Sequence, residues 1–401
     1  MVAGAFGVMF AAFGSVYCFS AFFTPLQEAF DASRASLSWI FSIAVFTYFL
    51  LGAVSGPLAD RVGPRGTTLA GIAVIALGLV LASRAEALWQ ITLAYGLGIG
   101  IGVGFAYVPA IGAVQRWFVR QRGFASGIAV AGIGVGTLVT PKVAEWLIHG
   151  LGWRGAFVAL GLIALALGGL SALLIDGPPQ RRGLLPDGGV AGGSVASPPV
   201  EGMSLGEAVR TRQFGLFYAS YFFISIGLFI PFVHLVPYAQ DQGIPYTTAV
   251  TLFTLVGVGS TLGRFCLGGV ADRLGRRRSL AGMYLGVAAM MLFWYTADQV
   301  WEVAVFALVY GTFYGGFVAL APALLTDYFG TRNASGIIGV AYTGVAVGNL
   351  IGPTFAGYVF DATHSYDPAI AASALFSLIA AALVWMAPEP RRSPPDSGPA
   401  G

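Results

Sequence analysis

Two copies of one short motif decide the fold of this chain. Residues 56–65 read Gly-Pro-Leu-Ala-Asp-Arg-Val-Gly-Pro-Arg, and residues 268–277 read Gly-Gly-Val-Ala-Asp-Arg-Leu-Gly-Arg-Arg. The copies are 212 positions apart (268 − 56), and the same offset pairs Gly132 with Gly344, Gly136 with Gly348 and Pro141 with Pro353. Repeats at one fixed offset indicate a chain built from two similar halves.

The sequence around both copies is strongly apolar. Of 401 residues, 57% are hydrophobic and 10% are charged, and the mean hydropathy is +0.78, so the chain needs lipid as its solvent. The apolar residues form runs of roughly 20, the length of a membrane-spanning helix. We predict an all-α integral membrane protein whose twelve transmembrane helices form two pseudo-symmetric six-helix bundles around a central cavity, at residues 3–25, 36–58, 67–83, 88–114, 123–148, 155–175, 213–236, 247–271, 279–297, 301–326, 334–359 and 369–387.

Composition also divides the chain into segments. Residues 177–212 are rich in proline, glycine and serine, which is typical of a mobile linker. We therefore predict an N-terminal bundle over residues 1–176, a cytoplasmic linker over 177–212, a C-terminal bundle over 213–387 and a cytoplasmic tail over 388–401.

The arginines predict the orientation in the membrane. Sixteen lie on the loops after the even-numbered runs and on the tail, whereas the alternate loops hold three, namely Arg34, Arg84 and Arg154. Because positive loops stay in the cytoplasm, we expect the first group and both termini on the cytoplasmic side of the plasma membrane. The net charge of +3 therefore reflects topology, and nothing in it indicates nucleic-acid binding.

With its repeated Gly-x-x-x-Asp-Arg-x-Gly-x-Arg loop, the chain resembles the major facilitator superfamily over essentially its whole length. In that family the loop charges form a conformational latch. The resemblance carries this role to Gly56, Asp60, Arg61, Arg65, Gly268, Asp272, Arg273 and Arg277. The alternative is that these residues only set topology and form a tight turn.

A narrower resemblance lies in the segment over residues 117–132, which runs from Trp117-Phe118 through Val-Arg-Gln-Arg into Gly123-Phe-Ala-Ser-Gly-Ile-Ala-Val-Ala-Gly132. It is similar to the signature before helix five of the monocarboxylate transporter family. Bacterial oxalate/formate exchangers share much of it. The family's acidic and aromatic signature before helix one does not occur in this sequence.

Arg264 is the candidate for binding a carboxylate. It lies within the eighth apolar run, four residues before Gly268, so it sits roughly 6 Å along the helix from the motif and inside the membrane. A membrane-embedded cation is costly and usually functional, and a guanidinium can hold a carboxylate with two parallel hydrogen bonds. The alternatives are an arginine held by backbone carbonyls or one that snorkels to the membrane edge.

The resemblance to monocarboxylate transporters supports Arg264, because those relatives carry a substrate arginine at this position. They also place an aspartate one turn earlier and a lysine on helix one, whereas this chain has Ser260 there and no lysine in its first run. Dicarboxylate exchangers are expected to place a second cation in helix eleven, and residues 334–359 contain none. One central cation favours monocarboxylates over oxalate.

Other polar residues within the predicted helices are weaker candidates. Tyrosine offers a hydroxyl donor and a flat wall to a small acid, and we expect such a role first of Tyr107 and Tyr314, then of Tyr17 and Tyr342, with Asn349 as a weaker candidate. His234 is a candidate for proton coupling because histidine changes charge near neutral pH, with packing as the alternative. Lys142 and Glu145 stand three apart and are expected to form a structural ion pair, with gating as the alternative.

The sequence contains no phosphate-binding Gly-x-x-x-x-Gly-Lys-Ser/Thr motif, metal-spaced cluster or nucleophile–base pair, so we predict neither an enzyme nor a cofactor. We predict a monomeric secondary carrier of small monocarboxylates such as lactate or pyruvate, coupled to protons and working by alternating access. The alternatives are an organic anion exchanger of the oxalate/formate type and a non-transporting membrane receptor on the same fold.

Overall fold

A computed structural model of the protein describes residues 1–118, 122–179, 184–188, 202–330 and 332–388. Residues 189–201 of the predicted linker and 389–401 of the predicted tail lie outside the described residues. The first half contains helices α1 (Val2–Tyr17), α2 (Phe19–Phe30), α3 (Arg34–Val62), α4 (Pro64–Ser83), α5 (Leu88–Ile91), α6 (Gly98–Trp117) and α7 (Arg122–Leu173), with a π-helical turn at Thr92–Leu97.

The second half repeats this order after the short helix α8 (Leu205–Ala208). Its long helices are α9 (Arg212–Leu228), α10 (Ile230–Asp241), α11 (Tyr246–Leu274), α12 (Arg276–Tyr295), α13 (Val300–Phe329), α14 (Ala334–Thr363) and α15 (Asp367–Met386). The helix α8 lies within the predicted linker and is capped by Ser204, whose side chain accepts a hydrogen bond from the backbone of Glu207. This end of the predicted linker is therefore structured.

These helices confirm the predicted fold class. Ten described segments are long and apolar enough to cross a membrane. One of them, Phe124–Leu173, is 50 residues long and covers nearly all of the predicted fifth and sixth helices. The ninth predicted crossing, residues 279–297, corresponds to the helix α12 and brings the number of crossings in the described residues to twelve. The break predicted between the fifth and sixth helices, over residues 149–154, is present at Gly152, with φ 68° and ψ 168°, so α7 consists of two helices that meet at this residue. Glycine adopts this backbone without a steric penalty.

Many predicted helices are too short because the hydrophobic pattern ends before the helix does. The helix α3 reaches Val62 and α11 reaches Leu274, so both extend through the charged motif. Each then ends in a tight turn at the motif's second glycine, Gly63 with φ 104° and Gly275 with φ 88°. Residues with a side chain rarely adopt this backbone conformation, which explains why both copies carry glycine at this position.

The internal repeat is also visible in the packing. The helix α7 packs against α1, and α14 packs against α9. Gly132 faces the backbone carbonyl of Phe6, and Gly344 faces that of Tyr218. One turn later the same arrangement pairs Gly136 with Phe10 and Gly348 with Phe222. Contacting partners thus share the 212-residue offset (218 − 6 and 222 − 10), and the glycines let backbones approach closely, as is common between membrane helices.

The two halves meet along two antiparallel helix pairs, α3 against α14 and α7 against α11, and α2 also contacts α10. We call the end of the molecule with the turns at Gly63 and Gly275 the motif end, and the end where α3 begins and α14 finishes the opposite end. The outward faces are apolar, as on α7, where Leu162, Leu170 and Leu173 are 59%, 64% and 52% exposed. Such a surface is suited to lipid.

Candidate transport site

Arg264 lies in the interior of the described structure. Its residue is 7% exposed, and its Nη1 donates a hydrogen bond of 2.8 Å to Ser260 Oγ, one turn earlier on α11. Its contact to the carbonyl of Ser260 is 3.5 Å, at the limit for a hydrogen bond. Among the described residues, Nε and Nη2 have no hydrogen-bond partner. These two nitrogens share one edge of the guanidinium plane, so that edge is free to accept a carboxylate.

A glycine of the other half creates the space for this guanidinium. Gly134 lies on α7, which packs against α11 across the contact between the halves. A Cβ atom at Gly134 would lie 3.0 Å from Arg264 Nη1, which is tighter than most real contacts of a Cβ atom. The glycine-rich sequence of the fifth crossing therefore lets Arg264 occupy the interface between the halves.

Three of the predicted tyrosines lie within electrostatic range of Arg264. Tyr17, Tyr107 and Tyr314 are close enough for their hydroxyl groups to interact with the charge of the guanidinium. The hydroxyls of Tyr17 and Tyr314 lie 2.8 Å apart and form a hydrogen bond. Because Tyr17 belongs to α1 and Tyr314 to α13, this hydrogen bond joins the two halves beside the arginine.

A small cavity of about 40 Å³ is lined by Tyr107 and Tyr314. The first half contributes four aromatic residues to its wall, Phe13, Tyr48, Phe49 and Tyr107. The second half contributes four more, Phe229, Tyr314, Phe317 and Tyr342. The structure thus brings Tyr107, Tyr314 and Tyr342 together around one cavity, with Arg264 beside two of them.

Asn349 and His234 lie elsewhere. Asn349 Nδ2 donates to the carbonyl of Ser42 at 3.2 Å, in the contact between α14 and α3, and it is not among the residues that line the cavity. His234 is fully buried on α10, with Nε2 at 2.8 Å from the carbonyl of Pro353 and Nδ1 at 3.0 Å from the hydroxyl of Tyr366. Both ring nitrogens have partners, which fits the packing alternative for His234.

An ionic cluster, missed by the sequence analysis, joins the halves at the opposite end. The guanidinium of Arg34, at the start of α3, donates to both carboxylate oxygens of Asp241, at the end of α10, at 2.6 and 2.7 Å. It also donates to the Tyr366 hydroxyl at 2.7 Å. The carboxylate of Asp361 accepts hydrogen bonds of 3.0 Å from the backbone N–H groups of Arg34 and Ala35. We call Arg34, Asp241, Asp361 and Tyr366 the Arg34 cluster.

Sequence comparison identifies the family. The pattern of the Major Facilitator Superfamily matches residues 5–300 and 215–401, which together span nearly the whole chain. This chain belongs to the major facilitator superfamily. It is accordingly a multi-pass membrane transporter by family, and the family and fold are not those of enzymes.

Relatives narrow the resemblance within the superfamily. Monocarboxylate transporter 12-B of Danio rerio is 30% identical over 408 residues, which cover 96% of this chain and 85% of that protein. Monocarboxylate transporter 13 of Bos taurus is 27% identical over 368 residues, covering 91% and 83%. The predicted resemblance to monocarboxylate transporters is therefore confirmed.

A solved structure supports the major facilitator fold. The crystal structure of a bacterial homologue of the human lysosomal transporter Spinster, in an inward-facing and unoccupied conformation, superimposes with a TM-score of 0.71. The match covers 96% of both chains at 15% sequence identity, so it concerns the fold alone.

At the motif end of this major facilitator protein, the described contacts of the predicted latch run within each half. Arg65 Nε donates to the carbonyl of Ile175 at 2.8 Å, and Arg277 donates to the carbonyls of Trp385 and Ala387. Arg61 and Arg273 are exposed, and Gly56 packs near Val108. Gly268 and the side chains of Asp60 and Asp272 lie outside what the structure describes, so the latch remains a prediction.

The predicted ion pair of the fifth crossing is present. Lys142 Nζ lies 2.9 Å from Glu145 Oε2, and His149 Nε2 lies 3.5 Å from Glu145 Oε1. Both partners of Glu145 belong to the same helix α7, as expected for a local structural pair.

Proposed function

We propose that this protein is a secondary carrier that moves a monocarboxylate anion across the membrane together with a proton, with lactate and pyruvate as the simplest substrates. One observation carries the proposal. Arg264 is a buried guanidinium whose Nε and Nη2 edge has no described partner, and it interacts electrostatically with Tyr107 and Tyr314, which line the central cavity. A buried charge without partners is unfavourable, so the site favours an anion that supplies the missing hydrogen bonds.

The Nε and Nη2 edge of the Arg264 guanidinium favours a carboxylate. Parallel N–H groups match the two oxygens of a carboxylate, and such bidentate pairs are stronger than single neutral hydrogen bonds. The hydroxyls of Tyr107 and Tyr314 offer further donors beside the arginine. Ser260 accepts a hydrogen bond from Nη1 alone and is neutral. An acidic residue at this position would compete with the substrate carboxylate for the guanidinium, and a serine does not.

The contacts between the halves support alternating access. At the opposite end the Arg34 cluster, together with the hydrogen bond of 2.5 Å from Thr24 to Gln240, ties the two halves together. We place the motif end and both termini in the cytoplasm, in keeping with the excess of arginines there. In the resulting cycle, the carrier closed at the outer end exchanges substrate with the cytoplasm, and separation of Arg34 from Asp241 opens it outward.

Proton coupling has two candidates in this proposal. His234 is one, although its ring nitrogens are held by Pro353 and Tyr366. The carboxylates of Asp241 and Asp361 are the other, because Asp241 accepts from the guanidinium of Arg34 and Asp361 from its backbone N–H, and a proton on either acid weakens the connection between the halves.

Uptake of labelled lactate and pyruvate into proteoliposomes, with and without an acidic exterior, tests the function. Acid-stimulated uptake supports proton symport, whereas uptake only into anion-loaded vesicles supports an exchanger of the oxalate/formate type. Binding without any uptake supports a receptor. Arg84→Gln is a suitable control for the loss of Arg264, since Arg84 is an exposed arginine in a loop. Uptake by Arg264→Gln equal to that of Arg84→Gln would remove the basis of the proposal.

A further inference from the structure

The wall of the central cavity is unusually rich in rings. Eight of the eleven residues that line it are aromatic, and the other three are the aliphatic Ile133, Val318 and Val345. None of these eleven described residues carries a charge. Tyr107 and Tyr314 line this wall and also interact electrostatically with the guanidinium of Arg264, so the apolar wall and the arginine share two residues.

The arrangement of the aromatic side chains is suited to a ligand with a planar ring. Phe13 stands edge-on to Tyr107, with centroids 5.3 Å apart and an interplanar angle of 87°, and Phe49 stands edge-on to Tyr342 at 5.5 Å and 84°. Edge-to-face packing of this kind is the preferred geometry between aromatic groups, and it extends readily to a ring of the substrate. The Phe49 and Tyr342 pair joins α3 to α14, so a bound ring would contact both halves.

We infer that the preferred substrate of this carrier is a monocarboxylate with an aromatic ring, such as an aryl-substituted 2-oxo or 2-hydroxy acid. The inference rests on the proposed function and specifies its substrate class. An amino acid fits less well, because no lining residue is an acid that can pair with its ammonium group. A dicarboxylate fits less well because no lining residue is a second cation.

Matched pairs of acids test this inference. Phenylpyruvate against pyruvate, and 3-phenyllactate against lactate, differ in the ring and share the acid group. We expect the aromatic member of each pair to have a KM at least about tenfold lower in proteoliposomes, after subtraction of uptake into protein-free vesicles, because ring packing adds to the shared carboxylate contact. An equal or lower KM for pyruvate and lactate would overturn the inference while leaving the carrier function intact.

Variants locate the effect in the cavity. Phe317 lines it, and Phe317→Leu keeps an apolar side chain but removes the ring. We expect this variant to raise the KM for phenylpyruvate several-fold more than that for pyruvate. Phe223→Leu is the control, because Phe223 stacks on Phe376 with centroids 5.9 Å apart and does not line the cavity.

A binding measurement separates the two proposals. Thermal unfolding of the detergent-solubilised protein is followed with each acid, and the aromatic acids should give the larger upward shift of Tm. Equal shifts from both members of each pair would contradict the ring preference alone. Failure of every acid to shift Tm or to be taken up would overturn the carrier proposal itself, and with it this inference.

Discussion

Arg34 and Asp241 form a two-bond salt bridge between the halves, with Nη1 to Oδ2 at 2.6 Å and Nη2 to Oδ1 at 2.7 Å. The guanidinium also lies over the ring of Phe360, 3.7 Å from its centroid. The Arg34 side chain is 10% exposed and that of Asp241 is 33% exposed, so solvent screens this pair only in part. The bridge therefore contributes to keeping the opposite end closed.

Asp241→Asn should shift the protein toward states that are open at the opposite end. Hydrogen bonds to charged groups contribute about 1.5–3 kcal/mol, and solvent screening at Asp241 lowers the expected loss to about 1.4 kcal/mol, a tenfold change in population. A cysteine at Ser42, buried about 12 Å along α3 from Arg34, reports the opening through a membrane-impermeant thiol reagent. The background carries Cys18→Ala and Cys266→Ala, which removes both native cysteines.

Arg154→Ala is the control for this measurement. Arg154 also lies over an aromatic ring, that of Trp153, but it donates to the carbonyl of Ala85 within its own half. We expect its labelling rate to match that of the parent. Equal labelling of Asp241→Asn and Arg154→Ala would show that the salt bridge does not hold the halves together.

Replacement of Arg264 separates charge from geometry. Arg264→Gln removes the cation and should lower kcat/KM for any transported acid by at least about a hundredfold, since it removes a bidentate charged contact. Arg264→Lys keeps the charge but loses the Nε and Nη2 edge, so it should recover only a small part of the activity. Labelled uptake measures both, and full activity of the lysine variant would contradict two-point binding.

Gly134→Ala should impair transport through the position of Arg264. The added methyl group would meet Nη1 at 3.0 Å and would approach Thr261 more closely still, so the guanidinium or the helix α11 must move. Displacement of a binding group by about 1 Å can reduce a rate by about a hundredfold. We expect a higher KM in uptake assays. Gly127→Ala on the same helix is the control, because a Cβ there meets no atom within 4 Å, and equal kinetics for both variants would refute the argument.

The sequence predicted the features that depend on local pattern. Hydropathy predicted the crossings, and the offset of 212 between motif copies predicted packing partners such as Gly132 and Gly344. Arg264 could be identified from the sequence because a cation within an apolar run has a high free-energy cost, whichever way its helix face is oriented. That its Nε and Nη2 have no hydrogen-bond partner, in contrast, depends on how Ser260 and Gly134 pack against the guanidinium in the folded protein.

Features that depend on contacts between the halves were not predictable in this way. Arg34 and Asp241 are 207 residues apart, and neither lies at a spacing that marks the other as its partner. Arg34 therefore looked like one of several loop arginines. Asn349 looked like a polar group for a substrate, whereas the packing of α14 on α3 directs it to Ser42.

The final prediction concerns the proton. The acid and base groups that face Arg34 are Asp241 from α10, Asp361 from α14, His234 from α10 and Tyr366 before α15. If a carboxylate of the Arg34 cluster carries the proton, Asp361→Asn should lose stimulation by an acidic exterior yet retain exchange of labelled for unlabelled acid. A permanently neutral side chain at this position imitates the protonated state, so the outer end opens without a proton.

His234→Gln separates the two candidates in the same assay. The ring of His234 bridges Tyr366 and the carbonyl of Pro353, and glutamine cannot reproduce both hydrogen bonds, so we expect a less stable protein in thermal unfolding. Stimulation by acid should nevertheless persist, because Asp241 and Asp361 remain. If His234→Gln instead loses the stimulation while Asp361→Asn keeps it, the proton travels through the histidine, and the Arg34 cluster serves only to close the outer end.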